Sequence, residues 1–190
     1  MPLSTTPRTP SIQPPSAPQH TLESLAALDA EALLALYTSA PLPTQVTPLA
    51  GAPRGRMLAV RRADQGLVGS LLRRLSGASF FPWGGKSFAG GGTRGTGINR
   101  VNLGGAGRHN LFPFDTSIAA SAIDGRDTIV LDYDKPENPG LIRAIHDEIR
   151  AIEPGLYLGP AMCKSASGKI LVLWFALDTR HPSTGDATWS

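Results

Sequence analysis

A chain of 190 residues with 41% hydrophobic content can bury one ordinary core, so a single domain is expected. Its net charge of +3 comes from Lys and Arg scattered in nothing longer than a pair, which argues against a nucleic-acid-binding stripe. Cys163 is the only cysteine, which excludes an internal disulfide and fits a reducing compartment. No apolar run nears the roughly 18 residues of a membrane span, and the N-terminus lacks the apolar segment of a secretory signal. A soluble, cytoplasmic protein is therefore expected.

Residues 1–20 mix prolines with Ser, Thr and Gln and have almost nothing to bury, so a disordered Pro-rich tail is expected there. A single domain over residues 21–180 follows, and 181–190 reads as a loose end. Thr21 reads as the N-cap of a helix from Leu22 to Thr38, with Leu22, Leu25, Leu33 and Tyr37 near helical spacing and Pro41 and Pro43 beyond its end. Arg54 to Arg61 predicts a first strand, and Gln65 to Leu75 a second helix through Leu67, Val68, Leu71, Leu72 and Leu75.

Phe80, Phe81, Trp83 and Phe88 concentrate aromatic area, which packs a core or lines a mouth. Gly90 to Gly97 reads as a flexible turn, Ile98 to Leu103 as a short strand, and Leu111 to Ile123 as an extended segment. Asp124-Gly125 is a two-residue hairpin signal leading into Arg126 to Asp134. Asn138 followed by Pro139 reads as a helix start. Leu141, Ile142, Ile145, Ile149 and Ile152 then form one stripe of a helix running to Ile152, with His146, Asp147 and Arg150 largely on its other side. Leu156 to Lys164 and Lys169 to Leu177 read as the last two strands. About seven strands in mostly hairpin order, with helices inserted rather than alternating, predict a mainly β (α+β) fold. The natural form is a curved antiparallel sheet or closed β-barrel, since closure removes exposed edges.

Several chemical motifs fail on their mechanics. Gly90-Gly91-Gly92-Thr93-Arg94-Gly95 has the letters of a dinucleotide fingerprint, but a strand follows where a helix N-terminus is needed. Gly85-Lys86-Ser87 resembles the end of a phosphate loop, yet Phe80 stands where its first glycine belongs. His20, His109, His146 and His181 share no ligand spacing, and Asp132, Asp134 and Glu137 lack the glycine of a calcium loop, so no metal and no cofactor are expected. No Gly-x-Ser-x-Gly elbow occurs. Cys163, within an apolar strand, reads as buried filler.

What remains is polar residues on strands that otherwise want burial. They either alternate outward or border an interior pocket, since an unpaired buried charge is costly. The candidate ligand-binding residues are Trp83, Lys86, Arg100, Asp132, Tyr133, Tyr157 and Trp174, with a cation placed to meet a polar head group. In strand count, hairpin order and the segment Phe81-Pro82-Trp83-Gly84, the chain from Arg54 to Asp178 resembles the lipocalin or calycin-like small barrels. The lipocalin Gly-x-Trp is absent. That resemblance implies binding or carriage of a small apolar or lipid-like ligand in a barrel cavity. Two alternatives stand beside it. One is an enzyme, an isomerase, cyclase or hydrolase, using Asp132 or Tyr133 as acid or base beside Arg100 or Lys86. The other is an interaction module presenting Phe80 to Phe88 to a partner protein.

Overall fold

The computed structural model describes residues 19–60, 83–102 and 107–181. The helix read over Gln65 to Leu75, Phe80 and Phe81, most of the Pro-rich tail and the last nine residues lie outside them. Among the described residues eight strands follow one another in hairpin order and close into a barrel: β1 (Arg54–Val60), β2 (Trp83–Gly91), β3 (Arg94–Asn102), β4 (Arg108–Ala120), β5 (Asp127–Asp132), β6 (Ile145–Glu153), β7 (Leu156–Ser165) and β8 (Gly168–Asp178). Every pairing is antiparallel, and β8 returns to β1, Arg54 opposite Asp178 and Met57 opposite Phe175. Among the described residues no helix is long and apolar enough to cross a membrane.

The barrel has a core on each side of its wall. Alternation sends Leu173, Phe175 and Leu177 of β8 inward with Ile129, Leu131 and Ile149, while Trp174 and Ala176 face outward with Leu156 and Leu158 of β7. Two helices cover that outer face: α1 (Leu22–Ala26) against β1 and β8, and α2 (Ala30–Ser39) against β6 and β7. Leu22, Leu25, Leu33 and Tyr37 supply their buried side. Where one helix was expected from Leu22 to Thr38, the chain breaks and restarts. Thr21 and Ser24 form a capping box for α1, and Asp29 caps α2 through the Ala32 N–H.

The larger correction concerns Pro139 to Ile152. Only Gly140–Arg143 is helical, a single turn that we call α3, and the rest is β6. Ile145 and Ile149 are four apart, a spacing that puts them on one face of a helix and equally on one face of a strand. Pairing on both sides, with β5 and with β7, decides the matter. Asn138 is no helix cap; its Nδ2 donates to the Pro113 and Tyr133 carbonyls and holds the loop after β5. The glycine-rich stretch near Gly90 also proves regular, since β2 and β3 meet through a tight turn with Gly92 at φ 64°. The connection around Asp124 spans residues 121–126 instead of two residues.

β6 carries charge on its outer face. Arg150 is fully buried, and its donors are all engaged: Nε on the Asp127 carbonyl, Nη1 on Asp124 Oδ2 (2.7 Å) and the Tyr37 carbonyl, Nη2 on Asp124 Oδ1 (2.7 Å) and the Arg126 carbonyl. This residue ties α2, the β4–β5 connection and β6 together. Glu148 beside it accepts from the Ala122 N–H (2.7 Å), the Ser121 hydroxyl and the Tyr37 hydroxyl (2.9 Å), with His146 Nε2 at 3.0 Å. Burial pushes the Glu148 carboxyl up, but these hydrogen bonds outweigh it and leave it below its ordinary value.

Two outcomes test this architecture. A Cβ added to Gly159 of β7 would collide with the Glu148 carbonyl oxygen and with Ile149 Cγ2, so Gly159→Ala should lower stability by about 2–3 kcal/mol in urea denaturation. The Arg150 hydrogen bonds hold the Asp124 carboxyl at about 2, below its ordinary 3.8. Its folded pKa is depressed, so its contribution is complete above pH 3.8 and is lost as pH falls toward 2. Asp124→Asn should therefore cost about 2 kcal/mol at neutral pH, and the gap from wild type should shrink across that acid window.

Candidate functional site

Inside the barrel, toward α3 and the start of β6, lies a cavity of about 100 Å³. Its walls include Met57, Trp83, Phe112, Ile145, Leu173 and Phe175, and its polar members are Lys86, Asn99, Tyr133 and Asp147. Lys86 and Asp147 are each 3% exposed. The other end of the interior is filled by side chains such as Tyr157, Leu177 and Ile149.

The four polar residues arrive from four elements. Alternation on β2 turns Lys86 inward; on β6 it does the same for Asp147, between Ile145 and Ile149. Asn99 comes from β3 beside a bulge in which Phe112 of β4 is the extra residue, because Ile98 pairs with Pro113 and Asn99 with Leu111. Phe112 takes φ 60°, a left-handed conformation that is strained for a bulky residue. Its ring lines the cavity and its carbonyl accepts from Asn99 Nδ2 at 3.2 Å. Tyr133 follows β5, in the loop fixed by Asn138.

Hydrogen bonding within the group can be counted to completion. Lys86 Nζ donates to Asn99 Oδ1 (2.9 Å), the Tyr133 hydroxyl (2.5 Å) and Asp147 Oδ2 (2.9 Å), which uses its three hydrogens. Asn99 Oδ1 also accepts from Trp83 Nε1 (3.1 Å), and Asn99 Nδ2 gives its second hydrogen to the Tyr133 oxygen (3.1 Å). The Tyr133 hydroxyl donates to Asp147 Oδ2 (3.1 Å). One atom of the group is left over: Asp147 Oδ1 is buried and has no hydrogen-bond partner. Four rings surround the ammonium, those of Trp83, Phe114, Tyr133 and Phe175, with centroids 5.1–5.3 Å from Nζ.

Electrostatics follow burial. Desolvation lowers the Lys86 pKa, with the Asp147 charge and hydrogen bond opposing it. Desolvation and then the neighbouring Asp147 charge raise the Tyr133 phenol well above its ordinary value, so it stays protonated. A buried, hydrogen-bonded ion pair flanked by a neutral phenol can hold a ligand's polar group or move a proton; among the described residues no group of three or more His, Cys, Asp and Glu gathers to bind a metal.

Of the residues expected from the sequence, Trp83, Lys86 and Tyr133 meet at this cavity. The remaining four lie elsewhere. Arg100 is fully buried and reaches the Pro53 carbonyl ahead of β1. Asp132 is exposed and pairs with Lys164 Nζ at 2.8 Å. Tyr157 packs in the filled end, and Trp174 faces outward into the core under the helices, edge-on to Tyr37. Asp147 and Asn99 are the additions. Asn99 lies on the strand expected over Ile98 to Leu103 but was not among the candidates, and Asp147 was hidden by the helical reading of β6.

The chain matches no known family model and no curated protein. A crystal structure of a protein from Thermomonospora curvata is similar at 16% identity and a TM-score of 0.47, over 81% of this chain and 89% of that one.

Removing Lys86 alone leaves the Asp147 carboxylate buried and unpaired. Lys86→Met should cost about 3–5 kcal/mol, whereas Lys86→Met with Asp147→Leu should return to within about 1 kcal/mol of wild type, both read by urea denaturation.

Proposed function

We propose that the protein binds a small, largely apolar, uncharged molecule in the barrel cavity, and that the ligand carries one hydrogen-bond donor. The observation that carries this reading is the unpartnered Oδ1 of Asp147, a residue that lines the mainly apolar cavity. Every donor of Lys86 and Asn99 is already taken, so a ligand gains most by supplying a donor of its own, a hydroxyl or an N–H. A carboxylate is disfavoured, because Asp147 already neutralises Lys86 and would repel a second anion. A cationic ligand meets the Lys86 charge. Size points the same way: at about 100 Å³ the cavity is smaller than the roughly 150 Å³ pocket that takes benzene. A single small ring or short branched chain, partly in the mouth, suits it better than an acyl chain. Within the lipocalin-like reading, this favours a small compound over a lipid. A single cysteine, Cys163, buried as a free thiol, accords with a cytoplasmic setting.

The test is titration with phenol, toluene and benzoate, followed by calorimetry and by intrinsic tryptophan fluorescence, to which Trp83 contributes. Phenol should saturate and bind about tenfold more tightly than toluene, the margin of one hydrogen bond to a charged acceptor, and benzoate should bind weakest. The Lys86→Met, Asp147→Leu double variant should bind phenol and toluene alike. Absence of saturable binding by phenol and toluene, or a preference for benzoate, would overturn the proposal.

A further inference from the structure

We propose that Lys86 is a nucleophile that captures small apolar aldehydes or ketones as a Schiff base inside the barrel, with Asp147 as the proton carrier. The inference rests on the apolar cavity of the reading above and adds a second ligand class, which needs no donor of its own because its carbonyl oxygen takes a proton from Asp147. Three features of the geometry carry it. Lys86 lines the cavity, and its Nζ lies within a ring of four aromatic side chains that an apolar carbonyl compound would join. A carboxylate oxygen lies 2.9 Å from that nitrogen, close enough to take its proton. The second oxygen of the same carboxylate has no partner and can pass a proton to a ligand oxygen.

The steps balance without any oxidant or reductant. The Lys86 ammonium gives one proton to Asp147, and the free amine attacks the carbonyl carbon, forming the C–N bond as the carbonyl electron pair moves to oxygen. Asp147 returns its proton to that oxygen, giving the carbinolamine once the nitrogen has lost a second proton to the same carboxylate. Asp147 hands this proton to the hydroxyl, the C–O bond breaks, and water leaves. An ammonium and a carbonyl have become an iminium and water, and the iminium keeps the single positive charge opposite the Asp147 carboxylate.

The environment favours the first step. Burial among apolar side chains disfavours the charged ammonium and so favours the free amine that attacks. Asp147 on β6 and Tyr133 after β5 are the titratable groups touching Lys86 among the described residues. Tyr133 keeps its proton and so leaves the carrying to Asp147. Burial also lowers the lysine's own basicity, in the direction that a nucleophile needs.

The experiment is reductive trapping of the full-length protein with isobutyraldehyde and cyanoborohydride at pH 7, with modified lysines located by peptide mass spectrometry. Lys86 should be alkylated at least about tenfold faster than Lys135, Lys164 or Lys169, as expected of a desolvated lysine beside a proton acceptor. Excess phenol should suppress that adduct and leave the surface lysines unaffected. Because the comparison is made within the wild-type chain, no variant has to fold. Labelling of Lys135, Lys164 and Lys169 with Lys86 spared or no faster, while phenol still binds, would overturn the covalent step and leave the cavity reading standing. Failure of both phenol binding and Lys86 labelling would overturn the two together.

Discussion

The contact between Lys86 and Asp147 constrains the rest of this molecule. Each charge is 3% exposed, and neither could remain in the barrel interior without the other. Their Nζ–Oδ2 distance of 2.9 Å depends on β2 and β6, which are not neighbours in the barrel: three strands, β3, β4 and β5, separate them on one side and three, β1, β8 and β7, on the other. The pair spans the interior, so its geometry reports the closure of the sheet. The filled end of the barrel and the bulge at Phe112 position these groups, while the aromatic ring around Nζ supplies attraction that water would otherwise give.

β6 concentrates the cost of this arrangement. It buries Asp147 on the inner face and His146, Glu148 and Arg150 on the outer face, a composition that would be untenable without partners on both sides. The outer face is answered by α2 and the β4–β5 connection, which provide the Tyr37 hydroxyl, the Tyr37 and Arg126 carbonyls and the Asp124 carboxylate. The helices are thus more than a cap on an apolar surface. They complete the polar requirements of the strand that carries the inner carboxylate, and they couple the order of α2 to the position of Asp147 through one stretch of backbone.

The sequence was legible where apolar alternation governed and illegible where charge was buried. β7 follows its alternation closely, β8 does so on either side of its bulge at Val172, and the closed mainly β fold follows from the hairpin order. At 145–153 the same logic failed, because Ile145, Ile149 and Ile152 suit a helical stripe and His146, Glu148 and Arg150 look like residues facing water. Their partners, Tyr37, Ser121 and Asp124, are distant in sequence, and nothing local announces them. Inward polar residues were recognised as a class, and Trp83, Lys86 and Tyr133 do converge. Arg100, Asp132, Tyr157 and Trp174 could not be sorted from them without knowing register: Trp174 sits beyond a bulge at Val172 that resets which β8 residues face inward.

A buried polar group that serves stability alone is expected to close upon itself, since each unmatched atom costs free energy with no return. The group around Lys86 closes at every donor, and at both Asn99 and Tyr133, yet stops one bond short at Asp147 Oδ1. The shortfall falls on an atom of a cavity-lining residue whose partner Lys86 is held among four aromatic rings. Hydrophobic residues of similar volume at positions 86 and 147 would hold the barrel about as well by the general balance of buried ion pairs. Retaining the charges, straining Phe112 to frame them and leaving one acceptor open are three costs borne at one place; Asn110 Oδ1 and Trp174 Nε1 are also buried without a partner, so it is the coincidence of the open acceptor with strain and a cavity that supports the proposed ligand site.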